Sequence, residues 1–131
     1  MATVLLLEQN DVLRSLLAEW LKIHGYTVLP TRNIREALAI CDAQPQQIDV
    51  ILADVRAFHS HIPTIRQTIE RRQPAARFVF ISGYDYESLR QKYGQFALDA
   101  EFLQKPFSLA LLTRTIRALL EPQYATAGAA E

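Results

Sequence analysis

Four polar side chains each follow a short apolar run: Glu8 after Val4-Leu5-Leu6-Leu7, Asp54 after Asp49-Val50-Ile51-Leu52-Ala53, Ser82 after Phe78-Val79-Phe80-Ile81, and Lys105 after Ala100-Glu101-Phe102-Leu103-Gln104. Two carboxylates, a hydroxyl and an ammonium gathered at one edge would support phosphoryl transfer. The carboxylate of Asp54 can attack phosphorus and form an acyl phosphate. Repulsion between that carboxylate and the phosphoryl oxygens must be neutralised, which Mg²⁺ held by one or two carboxylates can do. Lys105 can set a point charge on one phosphoryl oxygen, and the Ser82 hydroxyl can donate to another. Singly, each is an ordinary strand-ending residue, and only their convergence carries weight.

The elements needed to bring them together are legible as an alternation. The runs at Val4–Leu7, Tyr26–Leu29, Asp49–Ala53, Phe78–Ile81 and Ala100–Gln104 are too short for helices and read as buried strands, the second ended by Pro30. Between them lie segments of helical period. The first starts at Val12, with Asn10 or Asp11 as its cap, Leu13, Leu16, Leu17, Trp20 and Leu21 on its inward face, and Gly25 as its left-handed stop. Asn33 caps a second helix carrying Ile34, Ala37, Leu38 and Cys41, which ends before Pro45. Ile62, Ile65 and Ile69 lie on a third that finishes at Pro74, and Tyr86–Phe96 is a fourth with Gly94 near its end. Ser108 caps the last, whose inward face is Leu109, Leu112, Ile116 and Leu119.

Strands that are continuously apolar, each followed by a helix, predict an α/β fold: a single doubly wound five-stranded parallel sheet covered on both faces. With right-handed crossovers the expected order is 2-1-3-4-5, the flavodoxin-like arrangement. In such sheets ligands sit outside the carboxyl ends of the strands where the winding reverses, between strands 1 and 3. That edge is where Glu8, Asp54, Ser82 and Lys105 fall.

The 131 residues suit one domain, with residues 1–121 as its body and 122–131 as a flexible tail, and 50% hydrophobic content suffices for a core. Fourteen basic against fourteen acidic residues give no electrostatic reason to expect nucleic acid or an anionic membrane as partner. No apolar run approaches the ~18 residues needed to span a bilayer. The N-terminal MATVLLLEQ lacks a basic region or cleavage site, and the single Cys41 suits a reducing compartment. The expectation is a cytoplasmic domain.

With these residues in view, the chain resembles a response-regulator receiver domain of the two-component phosphorelay from about Thr3 to Leu120. The matching segments are VLLLEQND with Arg14, HGYTV, REAL, DVILADV, FVFISGY and FLQKPF. SGY with FLQKPF especially resembles receivers attached to hybrid sensor kinases, or free-standing relatives of them. The resemblance implies that Asp54 accepts a phosphoryl group from a phosphohistidine on a sensor histidine kinase or histidine phosphotransfer protein. It implies that Glu8 belongs to the acidic pocket, that Ser82 is a switch hydroxyl, and that Phe102 swings inward behind it. Lys105 becomes the phosphate partner, with a cis bond to Pro106, and Mg²⁺ the cofactor. The downstream protein partner would read the face made by helix 4, strand 5 and helix 5. As a strand residue, Phe102 reads equally well as static core.

Two departures from the family pattern stand out. Counting five positions back from Arg14 puts Gln9 where the family carries a second acid, a direct metal ligand. An amide oxygen coordinates without charge, so weaker Mg²⁺ binding is expected. Asp11 could compensate, although its position suits a helix cap. After Asp54 the family's Met-Pro-Gly-x-Asp-Gly run is replaced by Ala57-Phe58-His59-Ser60-His61-Ile62, which unsettles the main-chain metal ligand expected from Arg56.

The alternative reading is a phosphorylation-independent pseudo-receiver, a protein-binding scaffold. A hydrolase of the related aspartyl-phosphate class would carry an acid two residues past its nucleophile, where Arg56 stands. The expected role is therefore a phosphorylatable switch and not an enzyme in the usual sense. With about ten residues after the last helix, it is expected either to give its output through a protein–protein contact or to act as a shuttle between kinases. His59 and His61 read as solvated loop residues, Cys41 as a small core hydrophobe, and Arg71-Arg72 as a solvated helix end. Trp20 reads as packing with its indole N–H at the rim.

Overall fold

The computed structural model describes residues 1–43, 47–58, 61–94 and 100–121. Five strands, β1 (Thr3–Leu7), β2 (Thr27–Thr31), β3 (Val50–Asp54), β4 (Arg77–Ser82) and β5 (Glu101–Gln104), form one parallel sheet in the order β2-β1-β3-β4-β5. They alternate with α1 (Asp11–Ile23), α2 (Ile34–Ala43), α3 (Ile62–Arg72), α4 (Tyr86–Tyr93) and α5 (Leu109–Leu120). The expected architecture and strand order are both present.

Successive strand residues point to opposite faces, and both faces are covered, which is why the runs are apolar throughout. Val4, Leu6, Val50, Leu52, Val79 and Ile81 pack with Leu17 and Leu21 of α1 and Leu112 and Ile116 of α5. Leu5, Leu7, Ile51, Ala53, Phe78 and Phe80 pack on the other side with Ala37 and Cys41 of α2, Ile62 and Ile69 of α3 and Leu89 of α4. Each fully buried Leu, Ile or Phe contributes roughly 1.5–3 kcal/mol. The two layers thereby hold the strand tips in register.

The caps fall where the sequence places them. Asn10 accepts from the Leu13 N–H, Asn33 from Glu36 and Ser108 from Leu111, at 2.8, 2.9 and 3.0 Å. Gly25 takes φ +92°, the left-handed region that stops α1. Cys41 is buried. Trp20 is half-buried and donates from Nε1 to Thr113 Oγ1 at 2.6 Å, tying α1 to α5.

Four expectations are corrected. Pro30 does not end the second strand; β2 continues to Thr31 with Pro30 inside it. An edge strand tolerates this because the missing N–H would have faced outward. Leu16 is not on the inward face but 49% exposed, because α1 buries only the Leu17, Ala18 and Leu21 side fully. The third helix stops at Arg72 rather than Pro74, its last turn closed by the Gln73 N–H on the Ile69 carbonyl. Arg72 is not simply solvated: it pairs with Asp42 of α2 at 2.6 Å. The expected end of helix 2 before Pro45, the extension of helix 4 to Phe96, His59, and the tail 122–131 lie outside the described residues. Among the described residues, no helix is long and apolar enough to cross a membrane.

Candidate functional site

Glu8, Asp54, Ser82 and Lys105 meet at the carboxyl edge of the sheet. β1 and β3 are adjacent in register from Val4–Val50 to Leu7–Ala53, which puts Glu8 and Asp54 just beyond neighbouring strand tips. Asp54 is opposite Ile81, and Ser82 is opposite Gln104, so Lys105 follows one step on. The Lys105 N–H donates to the Ser82 carbonyl at 2.7 Å and extends that ladder. The Lys105–Pro106 bond is cis.

Asp54 is the centre. Its carboxylate is 1% exposed and accepts on Oδ2 from Lys105 Nζ at 2.7 Å. Its Oδ1 accepts from the backbone N–H of Arg56 at 2.9 Å. Burial pushes its carboxyl up, but the Lys105 ammonium and the Arg56 N–H and guanidinium outweigh burial and hold it below the ordinary aspartate value. Asp54 is therefore ionised and oriented at neutral pH, the state a nucleophile requires.

Glu8 is fully buried and fixed from several sides. Its backbone N–H continues the sheet onto Thr31 O at 3.1 Å, and its carbonyl accepts from Arg14 at 3.0 Å. One carboxylate oxygen, Oε2, accepts from the Asn10 N–H at 3.0 Å. The other, Oε1, has no hydrogen-bond partner among the described residues and is 3.7 Å from Lys105 Nζ. Burial raises the Glu8 carboxyl above its usual range, and the negative charge of Asp54 adds to that against Asn10, Lys105 and Arg56. Ser82 is 1% exposed, and its Oγ accepts from the Tyr84 N–H at 3.0 Å. A cavity of about 310 Å³ opens beside it, lined by Arg56, Ser82, Gly83, Tyr84 and Lys105.

The remaining predicted residues are placed differently. Gln9 is exposed, and the Arg14 guanidinium approaches its backbone carbonyl at 3.4 Å. Asp11 does not compensate for it, because its carboxylate faces solvent and pairs with Arg14 at 2.5 Å. Phe102 is half-buried, its ring set edge-on to Tyr86 of α4 at 5.6 Å. His61 is exposed.

The site also contains two features that the sequence did not disclose. The Arg56 side chain folds back on Asp54, with Nη2 3.3 Å from Oδ2 and Nε 3.4 Å from Oδ1. Phe58 anchors the turn that carries it: Val55–Phe58 is a 3₁₀ turn in which Val55, Ala57 and Phe58 are buried. The Phe58 ring meets Phe80 edge-on at 5.9 Å, so apolar packing fixes a backbone path that lacks the family's glycine. The signal was present in Val55-Arg56-Ala57-Phe58, one cation among apolar residues directly after the acceptor.

As a site for a hard divalent cation, the pocket supplies a limited but suitable donor set. The unpartnered, buried Glu8 Oε1 beside Asp54 is the kind of oxygen a cation would complete. Among the described residues no cluster of three or more His, Cys, Asp or Glu is present.

Comparison with known proteins places this arrangement in context. A family model, the response regulator receiver domain, matches residues 4–117. Sensor kinase CckA of Brucella abortus (strain 2308) is 34% identical over 124 residues, which are 93% of this chain and 13% of that kinase. The chain therefore spans a small fraction of that relative's length. The crystal structure of the receiver domain from hybrid histidine kinase CckA superposes with TM-score 0.74 and 28% identity, covering 92% of this chain and all 100% of that one. A response regulator from Thermotoga maritima shares the fold at TM-score 0.75 and 19% identity, covering 92% of this chain and 98% of the other. A Burkholderia pseudomallei response regulator, solved with a phosphorylated aspartic acid, calcium ion and citrate, has TM-score 0.73 and 24% identity over 98% and 72% of the two chains.

Proposed function

The chain belongs to the response regulator receiver domain family, and on that premise we propose that it accepts a phosphoryl group on Asp54 from a phosphohistidine. The donor is a sensor histidine kinase or a histidine phosphotransfer protein, and the setting is the cytoplasm. An Asp54 carboxylate oxygen attacks phosphorus, the P–N bond to the donor imidazole breaks, and an acyl phosphate forms. The single observation that carries this is the buried Asp54 carboxylate with Lys105 Nζ at 2.7 Å. The ammonium can slide onto a phosphoryl oxygen as charge moves there.

Glu8 and Asp54 would hold Mg²⁺, with the Arg56 backbone carbonyl and the Gln9 amide as weaker candidates; when bound, it supplies charge neutralisation between carboxylate and phosphoryl oxygens. Ser82 is the switch: its Oγ gives up the Tyr84 N–H and donates to a phosphoryl oxygen. Phe102, packed on Tyr86, carries that movement to the face of α4, β5 and α5, which a downstream protein partner reads. The chain acts as a signalling acceptor, not as a turnover enzyme.

Incubation with acetyl phosphate and Mg²⁺ followed by intact-mass measurement tests this. Expected is an adduct of about 80 Da on the wild type and none on Asp54→Asn. An unlabelled wild type beside a labelled control receiver favours the phosphorylation-independent scaffold, for which the exposed Gln9 is the specific indication. Labelling that persists in Asp54→Asn would place the acceptor elsewhere.

A further inference from the structure

Formal charges in the pocket already cancel: Glu8 and Asp54 are faced by Lys105 and Arg56. A neutral pocket has little to offer Mg²⁺, which sheds water reluctantly and depends on anionic ligands. Accommodating a divalent cation therefore favours the departure of one resident cation, and the two differ in how firmly they are held. Lys105 is 25% exposed, touches Asp54 at 2.7 Å and Glu8 at 3.7 Å, and its backbone is tied to Ser82. Arg56 is 60% exposed and makes only long contacts of 3.3 and 3.4 Å. Its guanidinium is already mostly hydrated, so rotating it into solvent costs less than drawing Lys105 away.

The base of that side chain is as firm as its head is loose. The Arg56 N–H is held by Asp54 Oδ1, and the buried Val55, Ala57 and Phe58 fix the turn around it. An arm on a rigid pivot has two natural positions, against Asp54 or away from it. Resting on Asp54 as phosphoacceptor, we infer that the Arg56 guanidinium is the resident counter-ion of this carboxylate and competes with a divalent cation for it. Arg56 is thus a positioning residue that sets how readily the pocket exchanges a guanidinium for a metal. In a receiver that has Gln9 in place of a second acid, this exchange matters more, because fewer anionic oxygens draw the metal in.

Calorimetric titration of the full chain with MgCl₂ at fixed ionic strength tests the inference on wild type, Arg56→Gln and Arg56→Lys. Removing the charge in Arg56→Gln is expected to tighten Mg²⁺ binding about tenfold, the scale of one charge-assisted contact. Arg56→Lys, which keeps a cation, stays within about threefold of wild type on the same scale. In the wild type, the Arg56 Nε resonance should move toward its solvent-exposed position as Mg²⁺ is added. Unchanged or weaker binding by Arg56→Gln, absence of binding by both wild type and Arg56→Gln, or an Nε signal unmoved at saturation overturns the inference. Labelling by acetyl phosphate is scored separately. Tightening without labelling sinks the phosphoacceptor role alone, and labelling without tightening sinks the exchange alone.

Discussion

The floor and the rim of the pocket are built by different means. The floor consists of Glu8, Asp54 and Ser82, all buried, at or just beyond the tips of β1, β3 and β4. The rim consists of Gln9, Arg56 and Tyr84, all exposed, in the turns one or two residues later. The floor keeps the residue types that the receiver family leads one to expect, whereas the rim departs from them at Gln9 and in the turn after Asp54. A sheet packed on both faces positions its tips within narrow limits, so chemistry placed there is held by the whole core. The turns are held by a few bonds each and tolerate exchange. On the proposed function, the floor would carry the phosphoryl chemistry and the principal cation oxygens, and the rim would tune how readily the cation enters.

The largest expected effect comes from stripping the floor of its counter-ion. Lys105→Met removes the ammonium that touches Asp54, and phosphorylation by acetyl phosphate should slow by about a hundredfold, as when a preorganised charge is deleted from a reacting centre. A rate within a few-fold of wild type would mean that the exposed Arg56 suffices and that floor and rim are not separate in role. A smaller effect tests the rim. Gln9→Asp restores a carboxylate, and Mg²⁺ affinity by calorimetry should rise by about tenfold. No change would show that the Arg14 clamp on the loop carbonyls keeps position 9 turned outward.

The smallest effect concerns stability and pH. Glu8 has its folded pKa raised above the usual 4.5, chiefly by burial. Its stability contribution is full below that value and is lost as pH rises through the folded pKa, where the charged form is buried at a cost. Glu8→Gln, which keeps the shape without the charge, should therefore be more stable than wild type at neutral pH by about 1 kcal/mol. That advantage should shrink as pH falls toward the usual glutamate range. Asp54 works in the opposite sense. Its pKa is held below 3.8, so its contribution is present at neutral pH and is lost only as pH falls through the lowered value. Thermal melts of both proteins from acid to neutral pH check the sign; an advantage that grows on acidification would contradict the burial account of Glu8.

Much of this was legible in the sequence because burial and periodicity are local signals. Leu5 and Leu6 face opposite layers yet are both fully buried, so the strand had to be apolar throughout and its polar end had to be Glu8. The same logic delivered Asp54, Ser82 and Lys105, and the caps at Asn10, Asn33 and Ser108 announced themselves by residue type. Local rules fail where they meet a position-dependent exception. Pro30 is admitted by an edge strand, and Leu16 matches the helical period but points past the edge of the packed face. Asp11 was an open choice between cap and pocket, and the presence of Arg14 beside it settled its direction.

What the chain by itself determined was therefore which residues stand at which strand tips, since alternation and apolar run length encode that within a few neighbours. Only the tertiary structure decided that Arg56 bends back onto Asp54, that Glu8 Oε1 has no donor among the described residues, and that Phe58 reaches Phe80 to hold the turn. Those outcomes depend on distances between segments remote in sequence and on the path of one short turn. Both are set when the two layers of helices close over the sheet.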